Sequence, residues 1–209
     1  TINTRLIELA FWQADLLHNA GIPFAIVGHS GTRRGSHELT GLTDLDWAKV
    51  KAAGIDCYPS HEPSTMENTC DLYLAKGFSE KWTKTTQAAM LGLPSCHQNL
   101  DGQTMRTYIR MLSKQRATDR ILLYYTDGQM PAEDSERQRL ILESEVSRAK
   151  AWSKRKHDRL RVVCIAYNNN DPEEYGLDTI VVPGGAGVRA QVKLVVDGLA
   201  KRIMESITK

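Results

Sequence analysis

Three short runs of apolar residues constrain the fold of this 209-residue chain more than any other feature. They are Ile121–Tyr125, Val162–Ala166 and the weaker Thr179–Val182. Each run is too short for a helix, and it is apolar at successive positions, which indicates a strand covered on both of its faces. Strands of this kind are typical of parallel sheets with a layer of helices on each side.

The segments around these runs have the periodicity of helices. Apolar residues recur at helical spacing in four stretches: Leu6 to Leu17, Met105 to Leu112, Leu142 to Trp152 and Val192 to Ile203. The first stretch ends at Gly21 and Pro23, and a short apolar strand, Phe24–Gly28, follows it. This alternation predicts an α/β fold: a doubly wound, mostly parallel sheet with helices on both faces.

The stretch from about residue 32 to residue 98 interrupts this rhythm. Its aromatic residues are scattered and, apart from Ile55–Tyr58, it shows no clear strand, so we predict ordered helices and loops there. The whole chain is short enough for a single hydrophobic core. The prediction is therefore one domain, residues 1–209, with an insertion at about 32–98.

Charge and composition argue against several classes of partner. A net charge of +2 is too small to indicate nucleic acid, and the basic run from Arg148 to Arg161 is interpreted as a solvated helix end. No apolar run approaches the roughly 20 residues that cross a membrane. The four cysteines are few for a chain of this length, so we expect a reducing, cytoplasmic environment.

The polar residues that follow the apolar runs are the candidates for chemistry, because ligands of doubly wound sheets bind beyond the carboxyl ends of the strands. Thr126, Asp127 and Gly128 come directly after the first run. A carboxylate that leaves a buried strand is costly to desolvate unless it is paired, hydrogen-bonded or bound to metal. Asp101 precedes the helix that leads into the same strand, so both carboxylates are expected at one rim of the sheet.

Two converging carboxylates predict a site for a hard divalent cation, Mg²⁺ or else Mn²⁺ or Ca²⁺. The predicted ligands are Asp101 and Asp127, and Asn99, Thr126 and Gly128 are expected to surround them. Two simpler interpretations remain open. Asp101 is also explained as a helix cap, which is worth about 1 kcal/mol, and Asp127 followed by glycine is also explained as a turn.

Other candidate motifs carry less weight. A second group of metal-binding residue types matches no standard zinc spacing: Cys57, His61, Cys70, Cys96 and His97. The glycine-rich segment 184–187 lacks the lysine and hydroxyl of a P-loop. His29 and Ser30 are neighbours in sequence, which does not give the geometry of a nucleophile and its base. We therefore predict no catalytic residue.

The residues around the two aspartates resemble a known family. The segment Asn99-Leu100-Asp101-Gly102-Gln103 is followed by a helix, by Asp119 to Gly128, by Pro131 and by Asp134-Ser135. This order is similar to the C-terminal von Willebrand factor type A domain of CobT, a subunit of aerobic cobaltochelatase. The family pattern reads N-x-D-G-E, a helix, R-R-I-L, S-D-G-x-P and D-S. The resemblance extends more weakly over most of the chain.

The resemblance implies a metal-ion-dependent adhesion site. Asp127 matches the family's last acidic motif, and Asp101 stands where other type A domains carry a threonine. The implied partner is an AAA+ ATPase ring of the CobS or MoxR kind, and an acidic side chain of this partner completes the coordination of the metal ion. A large chelatase subunit is a further implied partner.

We therefore expect a non-catalytic interaction subunit, or, within an enzyme, part of a cobaltochelatase-like ligase complex. The alternative is a structural or assembly protein, viral ones included, that keeps the type A fold without using the metal.

One part of the family pattern is absent from the sequence. The motif D-x-S-x-S, which supplies the first metal ligands, belongs at the end of a strand before the helix that here begins near Ile2. A parallel sheet without its central strand leaves backbone groups unpaired. We therefore expect this strand and its serines to precede Thr1 or to come from another chain.

Overall fold

The computed structural model describes residues 2–33, 68–93, 100–127, 135–154, 158–168 and 171–207. Within them, five helices and five strands follow one another: α1 (Ile2–Asn19), β1 (Ile26–Arg33), β2 (Asn68–Lys76), α2 (Lys84–Leu91), α3 (Asp101–Ser113), β3 (Asp119–Thr126), α4 (Ser135–Ser153), β4 (Arg159–Tyr167), β5 (Asp178–Val182) and α5 (Val188–Ile207). None of these helices is both long enough and apolar enough to cross a membrane.

Strands β3, β4 and β5 form a parallel sheet in that order. The three apolar runs lie inside these strands, and the predicted helices coincide with α1, α3, α4 and α5. In the register of the sheet, Tyr124 is opposite Cys164 and Ile165 is opposite Ile180. The predicted α/β class, with a parallel sheet flanked by helices, is therefore confirmed.

The core is divided into two by the central strand β4. On one face, Leu160, Cys164 and Ala166 pack with buried residues of α3 and α4, such as Ile109 and Leu142. On the other face, β4 and β5 pack against α1 and α5. The residues of this second core are Leu9, Val163, Ile165, Ile180, Val182 and Val195. Full burial of one aliphatic side chain is worth about 1.5–3 kcal/mol, so both helical layers are held mainly by this sheet.

Strand β2 corrects the prediction for residues 32–98, because an antiparallel partner of β1 lies where we expected helices and loops and no strand other than Ile55–Tyr58. Leu72 packs in the core beside α3 and α4, whereas Ala75 packs in a third cluster with Phe24 and Trp82. The strand was missed because a charged residue, Lys76, ends its apolar run. Burial of Lys76 is possible because its ammonium donates to the carbonyls of Phe24 at 2.6 Å and Gly77 at 3.0 Å.

The boundaries of β1 also differ from the prediction. We expected a strand over Phe24–Gly28, and the structure has it from Ile26 to Arg33. Pairing with β2 carries the strand onward through Ser30 and Gly31, which have no apolar signal of their own. The strand predicted at Ile55–Tyr58 lies outside the described residues.

Arg120 fixes the end of α3 to the start of the sheet. Its guanidinium donates to the carbonyl of Ser113, the last residue of α3, at 3.0 Å and to that of Gln115 at 3.4 Å. It also forms an ion pair with Asp158, just before β4, and lies 5.2 Å from the ring centre of Trp152. Arg120 is 6% exposed. Its hydrogen bonds go mainly to carbonyl groups at the end of α3, which have no partner within the helix.

Gly102 lets the first turn of α3 approach α4 closely. A Cβ atom at this position would lie 2.4 Å from the carbonyl oxygen of Gln138 and 2.9 Å from Cβ of Ile141. The Gln138 side chain reaches back across the same contact and accepts from the backbone N–H of Gln103 at 3.2 Å. A side chain at residue 102 would therefore push two backbones apart.

We predict that Gly102→Ala lowers the free energy of unfolding by about 1–3 kcal/mol, the usual cost of overpacking a core. The matched control is Gly185→Ala, because a Cβ atom there would have nothing within 4 Å. Urea denaturation measures both variants. Equal stability of the two variants would show that α3 and α4 are not packed as closely as described.

Candidate metal site

Asp101 is the first residue of α3 and one of the most buried charged residues in the described chain, at 4% exposure. The residue in the cap position is Leu100, so the interpretation of Asp101 as the helix cap is not supported. Its carboxylate instead accepts a short hydrogen bond from the hydroxyl of Tyr124 in β3. Asp101 therefore faces the carboxyl end of the sheet.

Asp127 follows β3 directly and lies close enough to act on Asp101. Burial and, to a smaller extent, the negative charge of Asp127 together raise the pKa of Asp101 to about 6, against the lowering effect of the Tyr124 hydrogen bond. The structure thus brings together the two carboxylates that the sequence selected. A buried carboxylate with a second negative charge nearby is a site that a cation or a proton can stabilise.

The surroundings of this pair are only partly described. Thr126 is 7% exposed, and it lines a partly open cavity of about 10 Å³ beside Asp101 and Tyr124, which has room for about one water molecule. The apolar wall of the cavity includes Leu142, Tyr175 and Leu177. Asn99 and Gly128, which we expected near the metal, lie outside the described residues.

The donors at this edge of the sheet fit a hard cation. They are two carboxylates and a threonine hydroxyl, all oxygen, which is the ligand type that Mg²⁺ and Mn²⁺ prefer. Cys164 lies nearby, but burial and the charge of Asp101 raise the pKa of its thiol to about 12, so it stays protonated and is a poor ligand. Within the described ranges, no group of three or more His, Cys, Asp or Glu surrounds one point, at this site or at any other.

A chain of polar side chains behind Asp101 was not predicted from the sequence. The Tyr124 hydroxyl lies 3.2 Å from Nε2 of His29, whose Nδ1 lies 3.1 Å from the Tyr108 hydroxyl. The Tyr108 hydroxyl donates to the carbonyl of Val27 at 3.1 Å. The rings of His29 and Tyr124 are stacked with centroids 5.4 Å apart. Four hydrogen bonds thus run from Asp101 to the backbone of β1.

The number of hydrogens that these side chains carry limits how many of the four hydrogen bonds form at once. Each of the four bonds needs one hydrogen, whereas two tyrosine hydroxyls and a neutral imidazole supply three. The fourth has to be a proton on Asp101 or on His29. With the proton on Asp101, every donor points toward Val27; with the proton on His29, the ring donates from both nitrogens. When neither residue carries it, one bond of the chain is lost.

The electrostatics of the two residues decide where this proton resides. Burial lowers the pKa of His29 to about 4, whereas the pKa of Asp101 is raised to about 6. The proton therefore belongs to Asp101 in acid, and His29 is neutral over most of the pH range. Above about pH 6 neither residue carries the fourth hydrogen, so one of the four hydrogen bonds is missing.

A signal for one of these residues was present in the sequence. His29 follows the apolar run Phe24–Gly28, so the rule about strand ends selects it from the sequence as it selects Asp127, although β1 itself continues to Arg33. The contacts of Tyr108 and Tyr124 depend on the rotation of α3 and on the face of β3 that each residue occupies. Neither is specified by one sequence without the packing.

The other predicted motifs contribute no described residue to this site. Among the zinc candidates, Cys57, His61, Cys96 and His97 lie outside the described residues, as does the side chain of Cys70. In the basic run, Arg148 pairs with Glu145, and Arg159 donates to Asp119 at 2.6 Å. These pairs reduce the positive charge that is available to a nucleic acid.

Asp101 and His29 should give opposite pH dependences of stability, measured in chelator without divalent cations. The pKa of Asp101 is raised from 3.8, so its stabilising contribution is complete below pH 3.8 and is lost, by about 3 kcal/mol, as the pH rises through 6. The pKa of His29 is lowered from 6.5, so its contribution is present above pH 6.5 and is lost as the pH falls through 4. In the wild type these two effects largely offset each other.

We predict that Asp101→Asn and His29→Gln separate the two effects. Asp101→Asn keeps only His29, so its free energy of unfolding should fall as the pH is lowered from 6.5 to 4. His29→Gln keeps only Asp101, so its free energy of unfolding should fall as the pH is raised over the same range. Urea unfolding at several pH values measures both variants. Asp197→Asn, an exposed carboxylate of α5, is the control. Profiles parallel to that of the wild type in both variants would rule out the proposed proton distribution.

Comparisons with known proteins add no relative: no family profile, curated protein or solved structure matches this chain. What the structure establishes is an α/β fold with a three-stranded parallel sheet and helices on both faces. At the carboxyl end of this sheet, Asp101 is buried at one end of a chain of hydrogen bonds, and Asp127 is near enough to raise its pKa.

Proposed function

We propose that this chain is a metal-dependent protein-interaction subunit, with a divalent cation held by Asp101 and Asp127. The observation that carries the proposal is the electrostatic contact between the two carboxylates at the carboxyl end of β3. One of them is buried, and an uncompensated buried charge is costly unless a cation or a proton neutralises it. Mg²⁺ or Mn²⁺ supplies that charge and takes oxygen ligands.

In this proposal the protein side chains hold and orient the cation. Tyr124 fixes one oxygen of Asp101 through its hydroxyl, and such outer contacts typically orient metal ligands. The cation supplies a positive charge that attracts a carboxylate of the partner. We propose an AAA+ ATPase ring of the CobS or MoxR kind as the partner that presents this acidic side chain. No step of a reaction is assigned to the chain itself.

The finer fold belongs to the same proposal. We propose that the β1–β2 pair and the β3–β4–β5 sheet are parts of one von Willebrand type A sheet, with a further strand between β1 and β3. In its support, these two strands do not pair with each other within the described residues, yet His29 and Tyr124 stack across from one to the other. A native protein that begins at Thr1, with rapid amide exchange along β3, would contradict this.

A structural role is the second candidate, and one observation favours it. Asp101 already has a hydrogen-bond partner, and its chain of contacts ties β1 to α3 and β3. A fully bonded buried network can serve to specify one packing of the core without any ligand. In that case the carboxyl would be neutralised by its proton and the protein would act in assembly.

Metal binding separates the two candidates. We predict that Mn²⁺ binds the wild type with measurable heat in isothermal titration at pH 7. Asp127→Asn and Asp101→Asn should each weaken binding at least roughly tenfold, since even the loss of an outer partner of a metal ligand costs that much.

The matched control for this titration is Asp197→Asn, a carboxylate that pairs with Lys193 on the exposed surface of α5. It should bind Mn²⁺ as the wild type does. Absence of binding by the wild type, or equal weakening by all three variants, would favour the structural role.

A further inference from the structure

We propose that the edge of the sheet at which β3 and β4 begin binds the phosphate backbone of a nucleic acid duplex. We call this edge the amino rim, which consists of the ends of α3 and α4, the first residues of β3 and β4, and Arg202 of α5. It lies at the opposite end of the strands from Asp101 and Asp127. The inference therefore goes beyond the proposed function and requires no metal ion.

Hydrogen bonds bring the ends of several elements together at the amino rim. Arg120, at the start of β3, donates to carbonyls at the end of α3. Asp158, just before β4, accepts from the indole N–H of Trp152 at 2.9 Å, which places the end of α4 there. Arg161 of β4 donates to the Arg202 carbonyl of α5 at 3.4 Å. Residues that are far apart in the sequence thus share one surface.

The acidic side chains of the amino rim are compensated by arginines. Each aspartate in the described part of the rim has an arginine partner: Asp119 pairs with Arg159, Asp158 with Arg120 and Asp178 with Arg202. These ion pairs use the negative charges of the rim and leave its other basic residues uncompensated by them.

The basic residues that remain give the amino rim an excess of positive charge. Arg110 in the last turn of α3, Arg116 before β3 and Lys154 after α4 are exposed. Arg161 adds a further charge, because the carboxylate that lies 3.8 Å from it already binds Arg159 at 2.6 Å. The excess comes from three separate parts of the chain.

The net charge of the whole chain conceals this excess. The other end of the sheet is more acidic, since Glu136 lies in the first turn of α4 and Asp171 and Glu173 follow β4. The two ends of the sheet therefore differ in charge, although the sum over the chain is only +2. The basic run that begins at Arg148 was interpreted as a solvated helix end because sequence alone does not bring Arg110 to it.

An extended polyanion fits this surface better than a protein does. Protein–DNA interfaces are much more positively charged than protein–protein interfaces, whose cores are depleted of charged residues. Arginine also presents a planar fork of donors that matches phosphate. Arg161 bonds toward α5 on one face of the sheet, whereas Arg110 and Lys154 belong to the ends of α3 and α4 on the other. A ligand that contacts both groups has to extend across the edge of the sheet.

The contacts of Trp152 favour a duplex over a single strand. Single strands bind largely through bases that stack on aromatic rings. The Trp152 ring lies 5.2 Å from the guanidinium of Arg120, and its indole N–H donates to Asp158, so this ring is already engaged. Binding is thus left to the basic side chains, which contact phosphates without reading the base sequence.

Fluorescence anisotropy of a labelled DNA duplex, titrated with the full chain in chelator, tests the inference. The Kd should be on the order of 10⁻⁵ M at low salt, and binding should weaken steeply between about 50 and 200 mM KCl. Arg110→Gln combined with Arg116→Gln should weaken binding at least roughly tenfold and reduce the slope of log K against log salt by about two. Lys154→Gln alone should reduce that slope by about one.

The matched control removes two arginines from the opposite end of the sheet. Arg139→Gln combined with Arg189→Gln, near the starts of α4 and α5, changes the net charge equally and should bind the duplex as the wild type does. Circular dichroism checks that each variant is folded. Equal weakening by both double variants, or no binding by the wild type at low salt, would overturn the inference.

Competition by other polyanions tests the choice of partner. Unlabelled duplex should displace the labelled duplex more effectively than polyglutamate or a single strand of the same length. Equal or better displacement by polyglutamate would identify a surface for acidic proteins, and equal or better displacement by the single strand would exclude a preference for a duplex. Either result would overturn the inference. Since no metal ion is present, these results are independent of the Mn²⁺ titration.

Discussion

Burial of the central strand on both faces is the constraint on which the rest of the structure depends. From Val163 to Ala166, no residue of β4 is more than 3% exposed. A strand with no face in water requires a layer of helices on each side, and α3 and α4 on one face and α1 and α5 on the other supply them. Polar chemistry is thereby restricted to the ends of the strands, where Asp101 and Asp127 lie.

The same constraint explains what the sequence could and could not predict. Strands buried on both faces are continuous apolar runs, so β3, β4 and β5 were found. β2 was not, because buried Lys76 ends its run and is tolerated only through carbonyls that sequence does not reveal. The approach of Asp101 to Asp127 followed from topology alone. The contacts of Tyr124 with His29 did not, because they depend on the relative rotation of elements far apart in the chain.

The position of Asp101 gives it two ways of being neutralised. A proton completes the chain of hydrogen bonds from Asp101 to the Val27 carbonyl. A cation held by Asp101 and Asp127 is the alternative that we propose. Burial disfavours the free carboxylate in either case, so the chemistry of the site depends on which positive charge is present.

The close contact at Gly102 has a consequence for how such a site can diversify. Asp127 leaves β3 at one end of a connecting segment, and the other end enters α4, where Gln138 is fixed against Gly102 and Gln103. The entry into α4 is thus fixed against the first turn of α3, next to Asp101. Doubling the length of a connection between two fixed elements costs only about 0.6 kcal/mol. Insertions between β3 and α4 should therefore be tolerated while the contact at Gly102 stays in place, so the chain can change in length here without losing the fold.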